Sequence, residues 1–205
     1  MRYTLDLNRI PLADYQTLLA NQNLLPGRRL LHDGIDRHFQ ALSAEKIETL
    51  AQLKQRLSAP QKLAALAAAT SISEEYLVLL KREIGSLEQK PVPLTAFPGL
   101  NEKLLDSLRA QGIATSKDGF ERGEANSELF CLCDLARING VGGVAARAFY
   151  EAGYRSVADV AAAGAKEMLA RVSAVNAEHG YYKAKLGEKD MQFCIDIARL
   201  IERFS

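Results

Sequence analysis

Apolar residues recur at helical spacing along almost the whole chain. Ile47, Leu50, Leu53 and Leu57 share one helical face. Leu63, Leu66 and Ala67 begin another after Pro60, whose missing N–H is not needed in a first helical turn. Ser71 and Glu74 have capping-box spacing and lead into an apolar set, Tyr76, Leu77, Leu80 and Ile84, which Gly85 is expected to stop. From about Lys183 onward, Met191, Ile195, Ala198, Ile201 and Phe204 line one face of a terminal amphipathic helix. The nearest approach to strand alternation, Tyr3 to Leu7, is too short to predict a strand. The expected class is all-α.

Two polar stretches divide this pattern. Gln89-Lys90-Pro91-Val92-Pro93 reads as a linker, because each proline pushes its predecessor out of helical geometry. It separates a helical N-terminal part, residues 1–90, from a second part, residues 91–205. Glu121 to Ser127 makes a further polar break inside the second part.

An internal repeat changes the picture most. Phe97-Pro98-Gly99-Leu100 aligns with Ile138-Asn139-Gly140-Val141, and each leads into a helical segment, Lys103 to Ala110 and Val144 to Ala152. Leu104, Leu105 and Leu108 are expected to face inward on the first, Ala145, Ala148 and Phe149 on the second. Gly112 and Gly153 stand at the same distance after their respective hairpin glycines, where glycine supplies a left-handed cap. An apolar residue follows (Ile113, Tyr154), then a serine (Ser116, Ser156), and Ser156 and Asp159 have capping-box spacing.

The run Leu135-Ala136-Arg137-Ile138-Asn139-Gly140-Val141-Gly142-Gly143-Val144-Ala145-Ala146 resembles the helix-hairpin-helix motif. Tyr154 to Val160 resembles its usual continuation. The chain as a whole resembles a bacterial family of unknown function built from tandem units of this kind. The likeness covers residues 94–175, and Ile47-Glu48-Thr49-Leu50 is a faint echo of it in the first half. The resemblance implies tandem helix-hairpin-helix units. In the DNA-binding form of the motif, two glycines expose backbone N–H groups at a helix start to a phosphate, and a cation two residues on adds a contact.

Measured against that form, each hairpin is incomplete. The second has Gly140 and Gly142, followed by Gly143, but carries Val144 where the cation belongs. The first has Lys103 at the cationic position but Asn101 in place of the second glycine. Arg147, one turn beyond Val144, is a partial substitute. The nucleic-acid contacts expected are therefore Gly99, Leu100, Lys103, Gly140, Val141, Gly142, Gly143 and Arg147. They would be weak and would read backbone rather than sequence. The alternative is a protein-interaction adaptor that uses the same hairpins and has no nucleic-acid affinity.

Charge and chemistry narrow this reading further. Residues 1–90 carry 12 Lys and Arg against 10 Asp and Glu, and the remainder 14 against 15, so neither part is a basic domain. Cys131-Leu132-Cys133 has the wrong spacing for a zinc pair, and Cys194 lies in the terminal helix; all three read as buried thiols. His32, Asp33, Asp36 and His38 cluster without metalloenzyme spacing, and His179 reads as a loop residue. Pro26-Gly27-Arg28-Arg29 is a turn with two cations that could open a helix. No Walker loop, nucleophile elbow or dinucleotide fingerprint occurs, so neither catalysis, a cofactor nor a metal is expected. No apolar run approaches bilayer length, the N-terminus lacks the pattern of a secretory signal, and the cysteine count is odd. Together these point to a cytoplasmic protein with no membrane role.

Overall fold

The computed structural model describes residues 2–24 and 26–205, and it is all-α. Among the described residues there are twelve α-helices, two 3-10 segments and no strand; extended pairing is confined to two isolated bridges. Among the described residues no helix is long and apolar enough to cross a membrane. The chain divides into two compact units. One holds residues 6–88 with Phe204, the other residues 89–203 and Ser205 with the N-terminal stretch Arg2 to Leu5.

In the first unit the order is α1 (Leu12–Asn21), a 3-10 segment (Pro26–His32), α2 (Ile35–Ala44), α3 (Leu50–Arg56), α4 (Pro60–Thr70) and α5 (Glu74–Ser86). Its core is aliphatic and aromatic: Tyr15, Leu19, Leu31, Phe39, Leu53, Leu66, Tyr76 and Leu80 are all fully or almost fully buried. Pro60 does open α4. The cap of α5 is Ser73, whose side chain accepts from Tyr76 N, rather than Ser71. Ser71 instead ends α4 in the left-handed conformation, φ +57°. Gly85 does not stop α5, which continues to Ser86 because Ile84 and Leu87 on either side are buried.

The second unit runs through a 3-10 turn (Leu94–Ala96), α6 (Glu102–Ala110), α7 (Ser116–Arg122), α8 (Glu128–Leu135), α9 (Gly143–Glu151), α10 (Val157–Ala161), α11 (Ala165–His179) and α12 (Glu188–Phe204). Residues 131–138 are buried without interruption, since α8 packs against both α7 and α9. The five apolar positions expected on one face of α12 are all buried. His179 is the last residue of α11 rather than a loop residue. A buried ion pair organises the interior: Arg137 Nη1 lies 2.6 Å from Asp134 Oδ1, while Asp134 Oδ2 accepts from Val157 N at the start of α10. Arg137 also donates to the carbonyls of Tyr3 and Arg2. The Tyr3 ring packs edge-on against Phe120, and its hydroxyl shares a 2.5 Å hydrogen bond with Ser116.

One local device occurs in both units. Pro11 bridges to Thr49, with Leu12 N donating to Glu48 O (2.8 Å) and Leu50 N to Ile10 O (3.0 Å). Pro93 bridges to Thr115 in the same way, with Leu94 N donating to Ala114 O (2.9 Å) and Ser116 N to Val92 O (2.7 Å). Each bridge joins an aliphatic-Pro-Leu triplet to an Ile-x-Thr triplet, and each threonine caps the next helix through a capping box. The faint echo at Ile47 to Leu50 thus has a counterpart of the same backbone geometry at Ile113 to Ser116.

Candidate interaction surface at the two glycine turns

The two aligned turns share their backbone. Gly99 and Gly140 have φ of +86° and +83°, and Gly112 and Gly153 have +75° and +96°. A side chain is disfavoured at all four, which is why glycine suits these positions. Gly112 N donates to Arg109 O and Ile113 N to Leu108 O; at the same offsets Gly153 N donates to Tyr150 O and Tyr154 N to Phe149 O. The caps that follow are Thr115 with Asp118 and Ser156 with Asp159. Thr115, not Ser116, is therefore the counterpart of Ser156. The Thr115 hydroxyl, followed by the backbone amides of Ala114 and Thr115, holds the Asp118 carboxyl below its ordinary pKa, against a smaller opposing effect of burial.

The helix starts differ. In the first turn Asn101 caps α6, its Oδ1 accepting from Leu104 N at 2.9 Å, so the side chain occupies a donor that a phosphate would need. In the second, Gly142 gives α9 no side-chain cap. Gly143 is buried so tightly that an added Cβ would lie 2.3 Å from Ala96 O. Val141 is buried as well, Leu100 is half-buried, and Gly99 and Gly140 are exposed.

The two cations expected here have opposite fates. Lys103 is exposed, and no ion pair engages it among the described residues. Arg147 is only 5% exposed. Its Nε donates to Pro98 O at 2.7 Å, its Nη2 donates to Glu128 Oε1 at 2.7 Å, and its Nη1 lies 3.9 Å from Glu151. Arg147 thereby ties α9 of the second turn to the backbone of the first. Glu128 and the Pro98 carbonyl were not singled out from sequence; the partners are 19 and 49 positions from Arg147, and no local pattern marks them.

Leu104, expected to face inward, is instead 40% exposed, and Val144 is 37% exposed. Among the described residues these are the large apolar side chains that stand in solvent, and both lie in the first turn of the helix after a hairpin glycine. Leu108, Ala148 and Phe149 do face inward, and Ala145 is half-buried.

The other candidates offer little chemistry. All three cysteines are free and buried, and burial pushes the Cys133 and Cys194 thiols up to about 12. His32 binds Leu19 O, Asp36 accepts from Gln16, and His38 stacks edge-on against Tyr76 with its pKa lowered by burial and by Arg37. Arg28, within the 3-10 segment opened by Pro26, pairs with the buried Glu83. No cluster of metal-ligating side chains occurs among the described residues.

Comparison with known proteins gives no curated protein and no solved structure that matches the chain. Residues 131–202, from α8 through most of α12, match the model of a domain of unknown function, DUF7898.

Proposed function

We propose that the chain is a non-enzymatic, cytoplasmic protein of tandem helix-hairpin-helix units, and that its hairpins serve as a protein-contact surface. The observation that carries this reading is the exposure of Leu104 and Val144 in the first turns of the two helices that follow the hairpin glycines: Val144 stands where a phosphate-binding hairpin would present a cation, and Leu104 stands next to Lys103. The matched turns, left-handed glycines and caps support the tandem units. Free buried thiols agree with a reducing compartment. An exposed apolar residue beside a rigid turn is preorganised for contact, because little ordering is needed when a partner arrives.

A second reading, weak sequence-independent binding to DNA, is favoured by two observations: Lys103 has no ion pair among the described residues, and the start of α9 has no side-chain cap. The engagement of Arg147 by Pro98 and Glu128 weighs against it, since that cation would have to leave both partners to reach a phosphate.

Fluorescence anisotropy with labelled oligonucleotides at about 50 and about 150 mM salt separates the two. The protein-contact reading expects no salt-sensitive binding, and it expects cross-linked partners captured by the native chain to be lost in Leu104→Lys/Val144→Lys. Salt-sensitive binding abolished by Lys103→Glu would replace it with the nucleic-acid reading.

A further inference from the structure

A different feature of the first unit points to a small-molecule site. The outer groove between α4 and α5 holds a cleft of about 480 Å3 lined by Pro60, Leu63, Glu74, Val78, Lys81 and Arg82. Small-molecule sites commonly enclose roughly 300 to 1,000 Å3. The sequence of the two helices explains the opening. On α5, Tyr76, Leu77, Leu80 and Ile84 turn into the core, which leaves positions 74, 78, 81 and 82 as one stripe on the other side. On α4, Pro60 and Leu63 face the groove.

The lining is polarised. Leu63 is buried and Val78 half-buried, so the floor is apolar. Lys81 and Arg82 are exposed, and among the described residues neither they nor Glu74 takes part in an ion pair. Lys81 Nζ donates to Ser58 O at 3.1 Å, which fixes the ammonium near the start of α4 without neutralising its charge. Glu74 stands seven residues before Lys81, roughly 10 Å away along the helix axis.

We propose that this cleft binds a monoanionic amphipath, with a carboxylate head held by Lys81 and Arg82 and an aliphatic tail against Leu63 and Val78. Arginine presents a planar fork that matches a carboxylate through two parallel hydrogen bonds, and the neighbouring ammonium adds a point charge. A neutral lipid would leave both charges unbalanced. With Glu74 on the same rim the charges of the lining sum to +1, which a single negative charge balances. Each methylene of tail buried on the floor is worth about a fourfold gain in affinity. The site is independent of the hairpins and of either reading of them.

The test is calorimetric titration of the full chain with decanoate below its micelle threshold, with amide chemical shifts followed in parallel. Decyltrimethylammonium and decyl phosphate serve as comparison ligands. Decanoate is expected to bind one to one, to shift amides around Leu63 and Val78, and to bind about tenfold more weakly to Arg82→Glu. Arg82 is exposed, so the variant is expected to keep the native circular dichroism spectrum. Absence of binding at millimolar decanoate, or equal binding by Arg82→Glu, would overturn the proposal. So would equal binding of the cationic amphipath, which would mean unspecific apolar adsorption, or tighter binding of decyl phosphate, which would mean a site for dianions.

Discussion

Arg147 fills the space that a side chain at Gly99 would need. A Cβ on Gly99 would lie 2.9 Å from Arg147 Nη2 and 3.2 Å from Cζ, while the same guanidinium donates to the adjoining Pro98 carbonyl. The glycine's left-handed φ of +86° adds strain for any other residue. Gly140 has nearly the same φ, +83°, but its nearest neighbour is Phe193 Cε1 at 3.9 Å, an ordinary contact. Gly99→Ala is therefore expected to cost about 2 to 3 kcal/mol, and Gly140→Ala about 1 to 2 kcal/mol from backbone strain alone. Urea denaturation of the pair measures the difference. Equal losses would mean that the guanidinium moves aside freely.

The neighbouring glycines Gly142 and Gly143 make a sharper contrast. A Cβ at Gly143 would meet Ala96 O at 2.3 Å, Ala96 C at 2.6 Å and Phe97 N at 2.9 Å, all backbone atoms that cannot swing away. Gly142 has open space and an extended backbone at φ −82°. Gly143→Ala should lose about 3 kcal/mol, the upper end of overpacking penalties, and Gly142→Ala about 1 kcal/mol or less. Thermal melts of the two variants would differ by many degrees; matching melting temperatures would refute the close approach.

These glycines also show what was legible from sequence. Positive φ excludes most residues, so the repeated spacing of Gly99, Gly112, Gly140 and Gly153 could be read directly, as could the five buried positions of α12. Local signals failed where two candidates competed. Ser71 and Ser73 both suit an N-cap, and only tertiary packing decides that the helix before them runs on to Thr70. Burial of Arg147 was not legible at all, because it depends on the Pro98 carbonyl, which is distant in sequence. Leu104 was misplaced because a helix this short shows too few turns to fix its inward face.

Arg147 and Lys103 should separate cleanly in stability. Arg147→Met removes the bond to Pro98 O and both carboxylate contacts, but Glu128 is about half exposed and stays hydrated, so the loss is moderate. We expect about 2 kcal/mol, against less than about 0.5 kcal/mol for Lys103→Glu on the exposed face of α6. Denaturant midpoints settle this, and an unaffected Arg147→Met would show that the guanidinium contributes nothing to joining the two turns.

High pH should weaken the fold. Burial, followed by the Asp118 and Asp134 charges, raises the Cys133 thiol from 9.0 to about 12; burial and Asp190 raise Cys194 to the same value. Burial and Asp33 raise the Tyr76 hydroxyl from 10.0 to about 12. Each group holds its proton longer folded than unfolded. Their stabilisation is complete below the unfolded values of 9.0 and 10.0 and is lost as pH climbs towards 12. Each thiol ionised only on unfolding takes away about 1.4 kcal/mol per pH unit. Chemical denaturation at rising pH should show a falling midpoint above about pH 9. A profile that stays flat well above pH 9 would contradict the burial of these groups.

Two buried tyrosines should respond oppositely to loss of the hydroxyl. Tyr15 is fully buried and its hydroxyl has no hydrogen-bond partner among the described residues, while burial, followed by the Glu83 charge, holds its pKa well above the ordinary value. Tyr76 donates to Leu31 O at 3.0 Å. Removing an unpartnered buried hydroxyl relieves a desolvation penalty, whereas removing a donor strands the carbonyl it served. Tyr15→Phe is expected to gain about 0.5 to 1 kcal/mol and Tyr76→Phe to lose about 1 kcal/mol. If calorimetry found both variants destabilised to the same degree, Tyr15 would have to possess a partner in solution, such as an ordered water held between its hydroxyl and the Glu83 carboxylate.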